Sequence, residues 1–130
     1  MSPHESDGRV GAKLGSEPVS WLWRGFFWLA AAYNIVIGAL GIVSPVASED
    51  ARIVGLLVAC FGIIYMLVAI NPRRYAATLW AGLIGKVGVV ALLGPAAVGE
   101  GGDRMIAAIL AGDALFAIGF LVFLLTNRED

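Results

Sequence analysis

Two charged residues stand alone in long apolar surroundings, and they define the chemistry open to this chain. Lys86 sits within Gly82-Leu83-Ile84-Gly85-Lys86-Val87-Gly88, inside a segment from Tyr75 to Leu93 that has no other charge. Asp113, twenty-seven residues later, is the only charge between Met105 and Leu125. An ammonium and a carboxylate can pair with one another, pass a proton, or hold an ion or small solute between them. At a bilayer centre a charged side chain costs roughly 2.5–3.5 kcal/mol on insertion scales, so each of the two is expected to find a partner. A second reading needs no ligand: a buried Lys–Asp pair can fix helix register and the choice of neighbour.

The elements that hold these residues follow from composition. The chain has 130 residues, 59% hydrophobic and 15% charged, whereas soluble domains are about 45–50% apolar and about 25% charged. Lipid is the solvent that accommodates such an excess. A net charge of −1 gives nucleic acid nothing to recognise. Cys60 is the one cysteine and His4 the one histidine. An intramolecular disulfide, a multi-cysteine metal site and a histidine-ligated haem inside the membrane are thereby excluded, and no cofactor is expected. Nor does the chain carry a phosphate-binding loop, a Ser-His-Asp set or paired carboxylates, so an enzyme is not the expectation.

Four apolar runs emerge, about 21–43, 53–70, 75–93 and 105–125. Each is long enough, at 1.5 Å per residue, to cross a hydrocarbon core of about 30 Å. The expected fold is all-α, a polytopic membrane protein built as a four-transmembrane-helix bundle over residues 20–126. Residues 1–19 read as a polar, disordered arm on the cytoplasmic side and 127–130 as a short tail. The first apolar run is too long for the core of a secretory signal and is read as a true span. Ser44-Pro45, Asn71-Pro72 and Gly94-Pro95 are the expected helix stops. Gly99 to Gly102 reads as a flexible loop, and Pro45 with Arg52 faintly echoes Pro95 with Arg104 as a trace of duplication.

Lys and Arg are unevenly shared between the two sides. Arg9, Lys13, Arg24, Arg73, Arg74 and Arg128 fall on the side of the termini, and Arg52 and Arg104 on the other. The positive-inside rule then puts both termini in the cytoplasm, an N-in/C-in topology in the inner membrane. Trp21, Trp23, Arg24, Arg73 and Arg74 are the expected anchors at the headgroup boundary.

Counting from the opposite ends of the spans brings polar residues to one depth. Asn34 stands nine residues before Val43, Asp113 nine after Arg104, Lys86 eight before Gly94 and Cys60 eight after Arg52. All four then lie roughly 12–14 Å deep. The loop between the third and fourth spans is short, so those spans are expected to be antiparallel neighbours. Lys86 and Asp113 would pair there, with Asn34 as a hydrogen-bonding third member. Cys60 is expected to be a small apolar filler. Small residues recur in every span: Ala30, Asn34, Gly38 and Gly41; Gly55, Ala59 and Gly62; Gly82, Gly85 and Gly88; Ala108 and Gly112. Close helix packing through them predicts a narrow bundle without a wide pore.

Tyr33-Asn34, Pro45, Gly62-x-x-Tyr65, Pro72-Arg73, the block Gly82 to Lys86, and Asp113 followed by Phe120 form a further pattern. It resembles small bacterial four-helix integral membrane proteins of unknown function, DoxX-like in outline. The resemblance implies the same fold and adds Tyr65 to Lys86, Asp113 and Asn34 as candidates for the polar centre. In those relatives the aspartate follows an asparagine and precedes a tryptophan pair and a proline, where this chain has Gly112, Phe116-Ala117 and Gly119.

Two functions from different classes are open. One is an interaction or accessory module, partnered by the lipid bilayer and by copies of itself or a larger membrane complex. The other is an oligomeric transporter or channel for a small solute, ion or proton, with Lys86 and Asp113 as the coupling pair.

Overall fold

The computed structural model describes residues 19–127, and every regular element in it is helical. Helix α1 is Trp21–Val43, α2 is Glu49–Ile70, α3 is the single turn Pro72–Tyr75, α4 is Leu79–Val98 and α5 is Arg104–Thr126. A 3₁₀ turn, Ala76–Thr78, joins α3 to α4. Four stretches, with α3 to α4 counted as one, are long and apolar enough to cross a membrane.

Local chemistry sets the ends. The Ser20 hydroxyl accepts from the Leu22 N–H at 3.1 Å, and that of Ser48 from Ala51 N–H at 3.1 Å. Asp103 accepts from Met105 and Ile106 at 2.8 and 3.4 Å. Each cap satisfies N–H groups that a helix start otherwise leaves bare. Glu49 and Asp50 add negative charge in the first turn of α2, where the helix dipole favours it. Asn71 closes α2 and opens α3 at once: its N–H bonds to Leu67 and its side chain accepts from Arg74 N–H.

Two boundaries differ from the sequence reading. The third span is Leu79–Val98, so Pro95 lies inside α4 instead of ending it at Leu93. The ring removes one hydrogen bond and crowds the Ala91 carbonyl, but its fixed φ is itself helical and only one further turn follows. Pro45, by contrast, lies in a turn between α1 and α2, so the two prolines are not structural counterparts. Val19, assigned to the arm, is 9% exposed and packs with the core. The rest of the arm and residues 128–130 lie outside the described residues. Gly99 to Gly102 forms a closed turn: Gly102 N–H donates to Gly99 C=O at 3.0 Å, and Gly101 adopts φ +78°, which favours glycine.

The helices pack by two different means. Along α1 and α2 backbone meets backbone: a Cβ on Gly38 would come 2.5 Å from Ala59 N and Gly55 O, and one on Gly62 3.0 Å from Ala31 O. The small-residue reading holds for this seam. On α4 and α5 the glycines instead receive aromatic side chains, Gly82 against Tyr65, Gly112 against the Tyr33 hydroxyl and Gly119 against Phe26. A Cβ on Gly85 or Gly88 would meet nothing within 4 Å, so these two glycines of the expected stripe on α4 do not serve close helix packing.

One half of the bundle, at the end shared by Val19, the Asn71–Thr78 connection and Asn127, is filled by rings. Phe27 lies 4.8 Å from Phe123, and Tyr65 4.9 Å from Phe120, between ring centroids. Outside, Trp21, Ile84, Leu92 and Leu115 are more than two-thirds exposed, while Asn34 and Lys86 are each only 5% exposed. Apolar outside and polar within is the arrangement that a hydrocarbon solvent favours.

Candidate functional site

Lys86, in the middle of α4, reaches the bundle axis with its side chain 5% exposed. Its Nζ donates to Asp113 Oδ1 at 2.6 Å and to Asn34 Oδ1 at 3.0 Å. Asn34 is held in turn, since its Nδ2 donates to the Val58 carbonyl of α2 at 3.1 Å. The orientation of the amide follows, because an ammonium can only donate and a carbonyl can only accept. One chain of hydrogen bonds thus runs α5–α4–α1–α2. Three rings complete the surroundings of the ammonium: Tyr33, Phe116 and Tyr65, with centroids 5.4, 5.5 and 5.6 Å from Nζ. Charge, hydrogen bonds and aromatic faces together replace the water that Lys86 has lost.

Glycine makes this geometry possible. Gly82 leaves the room that Tyr65 occupies one turn from Lys86, and Gly112 does the same for Tyr33 beside Asp113. Tyr33 then donates to the Ile109 carbonyl at 2.5 Å, tying α1 to α5.

Above this centre, toward the end with the Ser44–Ser48 and Gly99–Asp103 connections, the rings stop. Helices α2 and α4 touch where Tyr65 meets Gly82; one turn further on, Gly85 has no neighbour within 4 Å. Between the helices lies a cavity of about 420 Å³, lined by residues that include Ile37, Leu57, Val58, Phe61, Val89, Leu93, Ile106 and Ile109. Lys86, Asp113, Asn34, Tyr33 and Tyr65 supply its polar part. Its size falls in the range of about 300–1,000 Å³ typical of small-molecule sites, as does its apolar wall with few convergent polar groups. The close packing expected of every span holds at the α1–α2 seam and does not extend to this half of the bundle.

All four residues of the expected polar centre, Lys86, Asp113, Asn34 and Tyr65, are brought together. Cys60 is not: it is exposed on the outside of α2. Counting residues gives depth but not which side of the helix a residue occupies, and only the inward neighbours Val58 and Phe61 face the centre. Phe116 was missed, although it stands three residues after Asp113 and so shares its face. Tyr33 stands in the shared pattern beside Asn34 but was not among the expected centre residues, and the Val58 carbonyl has no signal in the sequence.

The expected anchors take several roles. Trp21 is 78% exposed, but Trp23 turns inward, 5.1 Å from Phe123. Arg24 Nε donates to the Ala69 carbonyl at 3.0 Å and its Nη2 to that of Ile70 at 3.4 Å, capping the end of α2. Arg74 lies over the Tyr75 ring at 5.4 Å, and Arg73 lines a recess with Trp80 and Asn127.

Comparison of the chain with protein-family models, curated proteins and solved structures finds no match.

Proposed function

We propose that this chain is a small binding protein of a bacterial inner membrane, which holds a small molecule inside its bundle against the Lys86–Asp113 pair. The observation that carries the reading is the cavity of about 420 Å³ ending on that pair. A pair that served register alone needs no way in from outside, and this one has one, since Leu57 and Leu93 on the cavity wall are each more than half exposed. Here the ring packing ends at the pair, and the Asp113 side chain remains 15% exposed. Binding also fits a bundle whose polar centre is already hydrogen-bonded, because the ligand then meets a preorganised site.

Orientation belongs to the same proposal. Six Lys and Arg against two support cytoplasmic termini, and the cavity would then open in the periplasmic half of the membrane. Kinship with the DoxX-like proteins is also part of it. In support, Asn34, Tyr65, Gly82, Lys86, Asp113 and Phe120, all from the shared pattern, gather in or beside the polar centre.

The accessory-module reading keeps one observation in its favour. A Cβ on Gly88 would meet nothing within 4 Å, and a partner helix could approach there.

Native mass spectrometry of protein released from membranes tests binding. The unaltered chain should retain a small molecule that Gly85→Phe, which fills the cavity from an open position, no longer carries. Equal retention by both would contradict the proposal.

A further inference from the structure

We infer that the cavity takes a lipid alcohol, a hydrocarbon chain ending in a hydroxyl, and holds that hydroxyl between Tyr65 and Asp113. The inference rests on the cavity being a binding site and adds the chemistry of its occupant.

The polar groups decide the class. Lys86 is enclosed by two oxygen acceptors and three rings and is 5% exposed, so its ammonium is not the group that a ligand meets. Tyr65 is only 1% exposed and its hydroxyl makes no hydrogen bond among the described residues; no fully buried side-chain polar atom there lacks a partner, so that hydroxyl borders the cavity it lines. A buried phenol normally finds a partner. Asp113 lines the same space, with one carboxylate oxygen on Lys86 and the side chain partly open.

The cavity thus offers a phenol that can donate and a carboxylate that accepts. A hydroxyl matches both, since it donates one hydrogen bond and accepts another. A fatty acid does not match, because its carboxylate would face that of Asp113 with the Lys86 charge already matched. A free cation gains little from a pair of zero net charge, and a hydrocarbon without a polar end leaves Tyr65 unsatisfied. The remaining walls, among them Leu57, Phe61, Val89 and Leu93, suit a chain that continues into the membrane.

Three photoreactive probes decide the matter on the full chain in detergent: hexadecanol, palmitic acid and hexadecane, each with a mid-chain diazirine. Hexadecanol should label the cavity residues most strongly, and unlabelled hexadecanol should compete. Tyr65→Phe should weaken alcohol labelling roughly 2- to 10-fold, the loss of one neutral hydrogen bond, and leave hexadecane labelling and the melting temperature unchanged. Hexadecane or palmitic acid labelling as strongly as the alcohol would overturn the inference while leaving a binding cavity in place. No loss of alcohol labelling in folded Tyr65→Phe would overturn it as well. Labelling by all three that matches Gly85→Phe would remove both the inference and the cavity's role. The comparison of probes on the unaltered chain stands even if Tyr65→Phe fails to fold.

Discussion

Lys86 and Asp113 are stable inside the bundle only as a pair. Removing one partner from a buried ion pair leaves an uncompensated charge and typically costs about 3–5 kcal/mol. Lys86→Met and Asp113→Leu are each expected to lose about that much in detergent melting experiments. The double change should recover much of it, since two apolar side chains bury without penalty. Additive losses would show that the two residues act separately. The two tyrosines give a finer contrast. Tyr33→Phe gives up the bond to the Ile109 carbonyl and should cost roughly 0.5–1.5 kcal/mol, whereas Tyr65→Phe gives up no internal bond and should melt like the unaltered chain. At this scale the sequence was informative because charge in an apolar run is rare and demands a partner. Tyr33 appeared in it only as the neighbour of Asn34 in the shared pattern, since adjacent helical residues point about 100° apart and Asn34 already occupies the inward position.

At the scale of elements, glycine has two uses that a spacing pattern cannot separate. In α1 and α2 it lets backbones touch; in α4 and α5 it makes room for a tyrosine, a phenylalanine or nothing. Gly38→Ala should destabilise the bundle by about 1–3 kcal/mol, because the atoms it would strike belong to the α2 backbone and cannot swing aside. Gly85→Ala meets open space and should be neutral, or stabilising by up to about 1 kcal/mol through helix propensity. Parallel melts of the two variants check both statements. The boundaries show the same limit of local reading. Pro95 has the sequence signature of a stop but begins the last turn of α4, so the helix ends one turn after it and not before it. Lys86 meets Asn34 and Asp113, as the count of residues led one to expect, even though α4 runs on to Val98.

At the scale of the molecule, four spans were legible from apolar length alone, and the antiparallel pairing of the last two from the short loop between them. The cavity was not. It arises because rings fill only one half of the bundle, and volume left between helices has no signature in any one segment. The expected topology has a direct check. A reporter active only outside the cytoplasm should be silent when fused after Asp130 and active when inserted at Gly101, and the reverse pattern would invert the bundle.

Whether the polar centre serves binding as well as stability is the central claim, and the Lys86→Met/Asp113→Leu double variant tests it most directly. Native mass spectrometry of that variant, released from the same membranes as the unaltered chain, is the measurement. The expected result is a folded bundle, with stability largely restored over the single variants, that no longer carries the small molecule retained by the unaltered chain. A folded double variant that retains the same molecule to the same extent would contradict it.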